Sequence, residues 1–402
     1  METNNRDKQI SRLVLRGFKS IAECDIELRP LNILIGTNGA GKSNFIGFFK
    51  LLNRLLKREL QLAVAEMGGA DALLHFGRKK TEILSGKIDF YGERYFIDDY
   101  QYEFSLKPTQ KNDLRLKEVI PLNNGLQLGN GGYETKLLCE NGLNFDNWTE
   151  DDYAYYANPS DYEEYILHTY FVKERLNFFL YDMRTIMQSW RIYHFHDTSP
   201  DARVKQRNNI NDNEYLREDA RNLAAFLYRI KQTHPQHYRQ IVKTIQLVAP
   251  FFGDFHLRPS VGNAGYIQLE WTEAGDDEPW TASRLSDGTL RFICLATALL
   301  QPPELAPATM LIDEPELGLH PFAISVLAEL IHSASLSQQL IIATQSVELV
   351  NEFDAEDLIV VDRENQASVL RRLDSEALKD WLADYGLGEL WLKNVLGGRQ
   401  SS

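Results

Sequence analysis

The sequence predicts an α/β protein: a mixed β lobe at the N-terminus, a parallel sheet with flanking helices at the C-terminus, and an α/β insertion between them. Three observations predict it. An apolar run, Leu31-Asn32-Ile33-Leu34-Ile35, ends in the glycine-rich turn Gly36-Thr37-Asn38-Gly39-Ala40-Gly41-Lys42-Ser43. A second apolar run, Met310-Leu311-Ile312, ends in Asp313-Glu314-Pro315. From Leu285 onward helix and strand patterns alternate, over 290–300, 310–313, 322–333, 340–344, 347–352 and 358–361. Such alternation implies a parallel sheet with crossover helices.

In chain order, Leu13-Val14-Leu15 reads as a short strand, Gly17-Phe18-Lys19-Ser20 as a turn, and 24–28 as a second, alternating strand. Pro30 breaks it, and the third strand runs into the glycine turn. Residues 44–66 read as helix, then 81–90 and 95–106 as paired strands. Residues 108–160 are rich in Asn, Gly, Asp and Tyr with weak periodicity, which predicts a loop-rich insertion. Helix is expected over 163–190 and 218–248, where Leu223, Phe226, Leu227 and Ile230 share a face. Residues 201–214 read as a polar linker, 254–271 as strands, and 381–402 as a short helix with a glycine-containing tail. No sustained heptad lies between the glycine turn and the C-terminal motifs, which excludes a long coiled coil.

The 402 residues could hold two or three average domains, or one large α/β domain with insertions. No apolar run approaches the length of a membrane span; the longest, 292–300, is a buried helix at most. The polar start carries no signal-peptide pattern. Cys24, Cys139 and Cys294 lie far apart without a C-x-x-C, which implies a reducing cytoplasm rather than a disulfide framework or zinc. With a net charge of −14, any nucleic-acid contact must come from a local basic patch. Arg54, Lys57 and Arg58, and the run Arg78-Lys79-Lys80, are candidates; solvated surface cations are the alternative.

Gly36 to Ser43 matches the G-x-x-x-x-G-K-[ST] phosphate loop, strand before and helix after. Its glycines let successive N–H groups turn inward around phosphate oxygens. Lys42 is placed to reach the β- and γ-phosphates of a nucleotide, and the Ser43 hydroxyl to ligate Mg²⁺. Asp313 and Glu314 close a buried strand, a costly position unless metal or hydrogen bonds hold them. Beside a phosphate loop they read as a Walker B pair, Asp313 on Mg²⁺ through water and Glu314 orienting and deprotonating the attacking water. Capping of the helix after Pro315 is the alternative. Ser286-Asp287-Gly288 opens an apolar helix, either as its cap or as a second anion site as well.

The order phosphate loop, Leu285-Ser286-Asp287-Gly288, Asp313-Glu314-Pro315, then a strand ending in Thr344-Gln345 resembles the ABC-type ATPase head. Asn38 and Asn44, Leu15-Arg16-Gly17-Phe18-Lys19-Ser20, and the run Glu316-Leu317-Gly318-Leu319-His320-Pro321 are similar to RecF, SMC and OLD-type ATPases, which work on DNA or in defence against phage. The resemblance covers about 11–100 and 280–362. It implies a P-loop NTPase head with an insertion in place of the coiled coil: an N-terminal lobe over 1–107, an insertion over 108–250 and a C-terminal lobe over 251–402. It implies ATP and Mg²⁺ as cofactors, with Lys42, Glu314 and Gln345 catalytic. Gly36, Thr37, Asn38, Gly39, Ala40, Gly41, Lys42, Ser43 and Asn44 would bind nucleotide, with Ser286, Asp287 and Gly288 completing the site from a second copy, packed head to tail. Gln345 stands where the family has its switch histidine; an amide donates a hydrogen bond but cannot become cationic. DNA, or a separately encoded nuclease, is the partner implied, in the cytoplasm and away from membranes. The alternative is the nucleotide-binding subunit of a membrane transporter, against which the Asn38 and Asn44 pattern and the absence of a Q-loop Gln argue.

Other constellations stay open. His194-Phe195-His196-Asp197 places two histidines on one face of a strand, for local structure, a nucleotide contact or a metal. Arg291 reads as a phosphate ligand or an acid's partner. Asp362-Arg363-Glu364 is similar to the acidic strand ends of TOPRIM nucleases, yet reads better as a surface turn. His75 lies near the expected Q-loop place but reads as a packed loop residue. The stretch 151–156 reads as a half-buried edge or a partner surface.

Overall fold

The computed structural model describes residues 8–91, 101–123, 134–140, 181 and 183–398. Six antiparallel strands form the first sheet: β1 (Ile10–Phe18), β2 (Ile21–Glu27), β4 (Leu84–Phe90), β5 (Gln101–Pro108), β6 (Leu114–Asn123) and β7 (Glu134–Glu140). Their order is β2-β1-β4-β5-β6-β7, so this sheet continues well past residue 107. Along β4, Leu84, Gly86, Ile88 and Phe90 are buried and alternate with half-buried residues, as one packed and one wet face require.

The second sheet holds β3 (Leu31–Ile35), β8 (Arg191–Tyr193), β15 (Thr309–Asp313), β16 (Gln339–Thr344), β17 (Leu358–Glu364) and β18 (Ala367–Arg372). Its order is β18-β17-β3-β16-β15-β8; all neighbours are parallel except the β17–β18 hairpin. β3 and β16 are buried along their whole length, the pattern of strands covered on both faces. Period-2 alternation splits them between two cores. Ile33, Ile312 and Ile342 join helices α5 (Leu223–Thr233), α6 (Pro235–Val248), α7 (Asp287–Leu299) and α8 (Pro321–Ser335). Leu34, Leu311 and Ile341 join the first sheet and α1 (Lys42–Leu56). There Phe48 stacks on Phe104, and Phe49 meets the fully buried Trp190 edge to face.

Short helices α2 (Leu60–Glu66), α3 (Ala70–Leu73) and α4 (183–189) line the first sheet's end of the molecule; α9 (Val347–Val350), α10 (Lys379–Leu382) and α11 (Leu387–Leu392) follow the later strands. Two three-stranded sheets complete the fold of the described residues, built from β9 (Asn208–Asn209), β11 (Pro259–Ser260) and β12 (Asn263–Ile267), and from β10 (Phe252–Phe255), β13 (Glu270–Glu273) and β14 (Trp280–Thr281).

The helix expected over 218–248 is two. Pro235 supplies the first turn of α6, and His234 before it leaves the helical region at φ −135° and ψ 63°. Proline lacks the amide that would continue the helix and disfavours helical backbone one residue earlier. Most of the helix expected over 163–190, and the stretch 151–156, lie outside the described residues.

Candidate nucleotide site

The strand β3 delivers the phosphate loop to the start of α1. Gly36 is pressed onto β17: a Cβ there would lie 2.3 Å from the Val361 carbonyl oxygen. Gly41 has φ 123° and precedes the helix with no side-chain cap. The first amides of α1 therefore lack the side-chain acceptor that a capped helix supplies, and they sit at the positive end of the helix dipole. Lys42 is 5% exposed, and its ammonium donates to the Gly36 carbonyl at 2.6 Å and the Thr37 carbonyl at 3.2 Å. Burial pushes its pKa down, while Glu314, Asp313 and Glu316 push it back up. Asn38, Gly39 and Ser43 are exposed, Thr37 is half-buried and Ala40 buried. Asn44 donates to Ser20 Oγ at 2.6 Å, and Ser368 on β18 donates to the Ala40 carbonyl and, at 2.7 Å, accepts from the Ser20 hydroxyl. The loop is thus fastened from β18 and from the turn between β1 and β2.

Two strands away, β15 ends in Asp313. The Glu314 amide donates to the Ala343 carbonyl at 2.8 Å, extending the ladder to β16. Glu314 then takes φ 45°, a left-handed conformation that costs a non-glycine residue on the order of 1–3 kcal/mol. Its carboxylate accepts a hydrogen bond from the Gln345 side-chain amide at the end of β16. Asp313 Oδ1 is buried and has no hydrogen-bond partner among the described residues. Burial, then Glu314, raises its pKa. A lone carboxylate oxygen held this way fits a divalent cation bound through water.

Glu316 is a site residue that the sequence reading left unassigned. It is half-buried, accepts from Thr344 Oγ1 at 2.6 Å and the Gln345 amide at 3.2 Å, and leaves its buried Oε2 without a partner among the described residues. Burial raises its pKa. It holds the end of β16 and so sets where Gln345 points. The available signal was a third acid two residues past Glu314.

The His194-Phe195-His196 segment follows β8, which pairs with β15. His196 Nε2 lies 2.9 Å from the Asp313 carbonyl, which can only accept, so Nε2 carries the hydrogen. Burial, then Lys50 and His196, lowers the His194 pKa to about 4. Among the described residues no group of three or more metal-ligating side chains forms. Arg291, on α7, donates to two carbonyls instead of a carboxylate: Leu317 at 2.9 Å and His196 at 2.9 Å. It therefore ties the helix behind Ser286 to the turns on both sides of Asp313. Close packing reinforces the tie, since a Cβ on Gly288 would lie 2.4 Å from the Gly318 carbonyl oxygen.

Ser286 caps α7, accepting from the Thr289 amide at 3.2 Å; Ser286 and Asp287 are both exposed. His75 Nδ1 bonds to the Lys19 carbonyl at 2.7 Å, a local packing role. Of the basic candidates, Arg54 pairs with Glu59 at 2.8 Å and Glu66 at 3.2 Å, and Arg78 with Asp71 at 2.8 Å. Lys57, Lys79 and Lys80 are exposed. Arg54 and Lys57 line a cavity of about 470 Å³ together with Lys50, Arg191 and Arg217. No described helix is long and apolar enough to cross a membrane.

Comparison with solved structures bears out the fold. An "SmcHead bound to the C-winged helix domain of ScpA" superposes with a TM-score of 0.56 at 16% identity, covering 92% of this chain and 99% of that one. An Smc head with an extended coiled coil bound to the C-terminal domain of ScpA, from Pyrococcus furiosus, gives a TM-score of 0.54 at 15% identity, covering 94% and 99%. No curated protein matches. The family model described as "AAA domain, putative AbiEii toxin, Type IV TA system" matches residues 143–351, just over half of the 402. On a P-loop NTPase fold shared with SMC heads, the chain belongs to that AAA family of ATPases.

Proposed function

We propose that the protein binds ATP with Mg²⁺ at the start of α1 and hydrolyses it between two copies. One observation carries the reading: a buried Lys42 at an uncapped helix start stands one strand across from the unpartnered carboxylate oxygen that ends β15. Asp313 and Ser43 would hold Mg²⁺, which supplies charge neutralisation at the phosphates. Glu314, aimed by its left-handed backbone and by Gln345, is the base that orients and deprotonates water. Ser286 and Asp287 are exposed and Gly288 half-buried beside them, where a two-fold partner could place its own nucleotide against this turn. The cycle would then couple to DNA or to a separately encoded effector nuclease, in defence or repair. Exposed Lys57, Lys79 and Lys80 offer phosphate contacts to the former.

Sedimentation of Glu314→Gln with ATP, beside phosphate release by the native chain with and without double-stranded DNA, tests this. A dimer that forms with ATP and hydrolysis that the substitution abolishes are expected. A monomer at micromolar concentration, or undiminished hydrolysis, would refute the shared site.

A further inference from the structure

The segment that closes the described chain reaches back to the phosphate loop. The Thr37 amide donates to the Gly398 carbonyl at 2.9 Å. The Gly398 amide donates to Asp362 Oδ2 at 3.0 Å, and Arg371 donates to the Leu396 carbonyl at 2.6 Å. Gly397 and Gly398 both have φ 78°, a conformation that favours glycine, and a Cβ on Gly397 would lie 2.2 Å from Arg371 Nη2. A Cβ on Gly398 would lie 3.5 Å from Gly36 Cα, so this turn stands directly beside the loop. Trp391, 5% exposed, places its indole Nε1 3.4 Å from the same point, without a hydrogen-bond partner among the described residues.

Sheet order gives the strap a meaning. Asp313, Glu314 and Gln345 lie at the ends of β15 and β16, to one side of β3, whereas β17 lies on the other. A triphosphate whose γ end meets those residues must run back across β3, leaving its α-phosphate and nucleoside on the β17 side. Three groups wait there: the strap, its anchor Asp362, and Arg363. Arg363 is exposed, sits 3.4 Å from the Gly39 carbonyl, and pairs with no carboxylate of the described residues.

We propose that Arg363 and the strap turn Leu396–Gly398 form the nucleoside side of the nucleotide seat, with Arg363 on the α-phosphate and the strap beneath the ribose and base. This rests on the ATP-binding reading above. Asp362 is a positioning residue, since its two oxygens are already taken by the Arg363 and Gly398 amides.

Calorimetric binding of ATP and of inorganic tripolyphosphate, each with Mg²⁺, to the full chain tests it. Asp362→Ala should weaken ATP about fivefold and leave tripolyphosphate unchanged, lowering the preference between the two. Arg363→Ala should weaken both ligands about tenfold, with Arg363→Lys recovering part of the loss. Lys42→Ala should abolish both. Unchanged ATP affinity in Asp362→Ala and Arg363→Ala, with circular dichroism as in the native chain, overturns the assignment. A native chain that binds neither ligand overturns the ATP reading itself.

Discussion

The starts of α1 and α7 are the same chemical object in opposite states. Both are helix N-termini with a glycine at the start, Gly41 just before α1 and Gly288 within the first turn of α7, and both present amides at the positive end of a dipole. At α7, Ser286 satisfies the Thr289 amide, and the turn stands exposed, complete within its own chain. At α1 no side chain caps the helix, and a buried lysine folds back on loop carbonyls. On the proposed reading, the first end takes up its own anion and the second lends itself to another copy's.

Removing the lysine tests the incomplete end most severely. Lys42→Ala should weaken ATP at least about 100-fold, because a buried ammonium answers several phosphate oxygens at once. Fluorescent-nucleotide titration checks it; affinity within threefold of native would mean that the uncapped amides suffice. Ser286→Ala should act on the complete end through two channels. Loss of the cap should cost about 1 kcal/mol in urea unfolding. Hydrolysis should also fall about tenfold while ATP binding by the monomer stays unchanged. A stability loss with unaltered turnover would reduce Ser286 to a cap. The smallest effect concerns the segment behind Asp313. His194, held at about 4 against an ordinary 6.5, takes up a proton less readily folded than unfolded. Its contribution to stability is complete above pH 6.5 and is lost as pH falls toward 4, with about 2 kcal/mol gone by pH 5. Urea unfolding at pH 7.5 and pH 5 should show this loss in the native chain and much less of it in His194→Gln. Equal losses would acquit the histidine.

The motifs legible in the sequence are those whose chemistry is contiguous. Gly36 to Ser43 and Asp313-Glu314 announce themselves because strand, turn and functional group follow one another without a gap. What stays hidden depends on topology. β8 is three residues long, and nothing local tells that it pairs with β15 and carries His196 to the Asp313 carbonyl. Ser368 meets Ala40 across 328 residues, and Gly398 meets Thr37 from the far end of the chain. Pro235 was in plain view, yet the shared apolar face of its neighbours hid the break it imposes. Arg291 looked like a ligand for an anion and serves two carbonyls instead.

The fastening of the phosphate loop by Ser20, Asn44 and Ser368 has a mechanical consequence. Those three side chains knot the antiparallel sheet to the parallel one at a single spot, as a keystone locks two arms of an arch. Neither arm can loosen without disturbing the loop, so the two sheets should melt in one step, and a filled loop should raise the melting temperature of both.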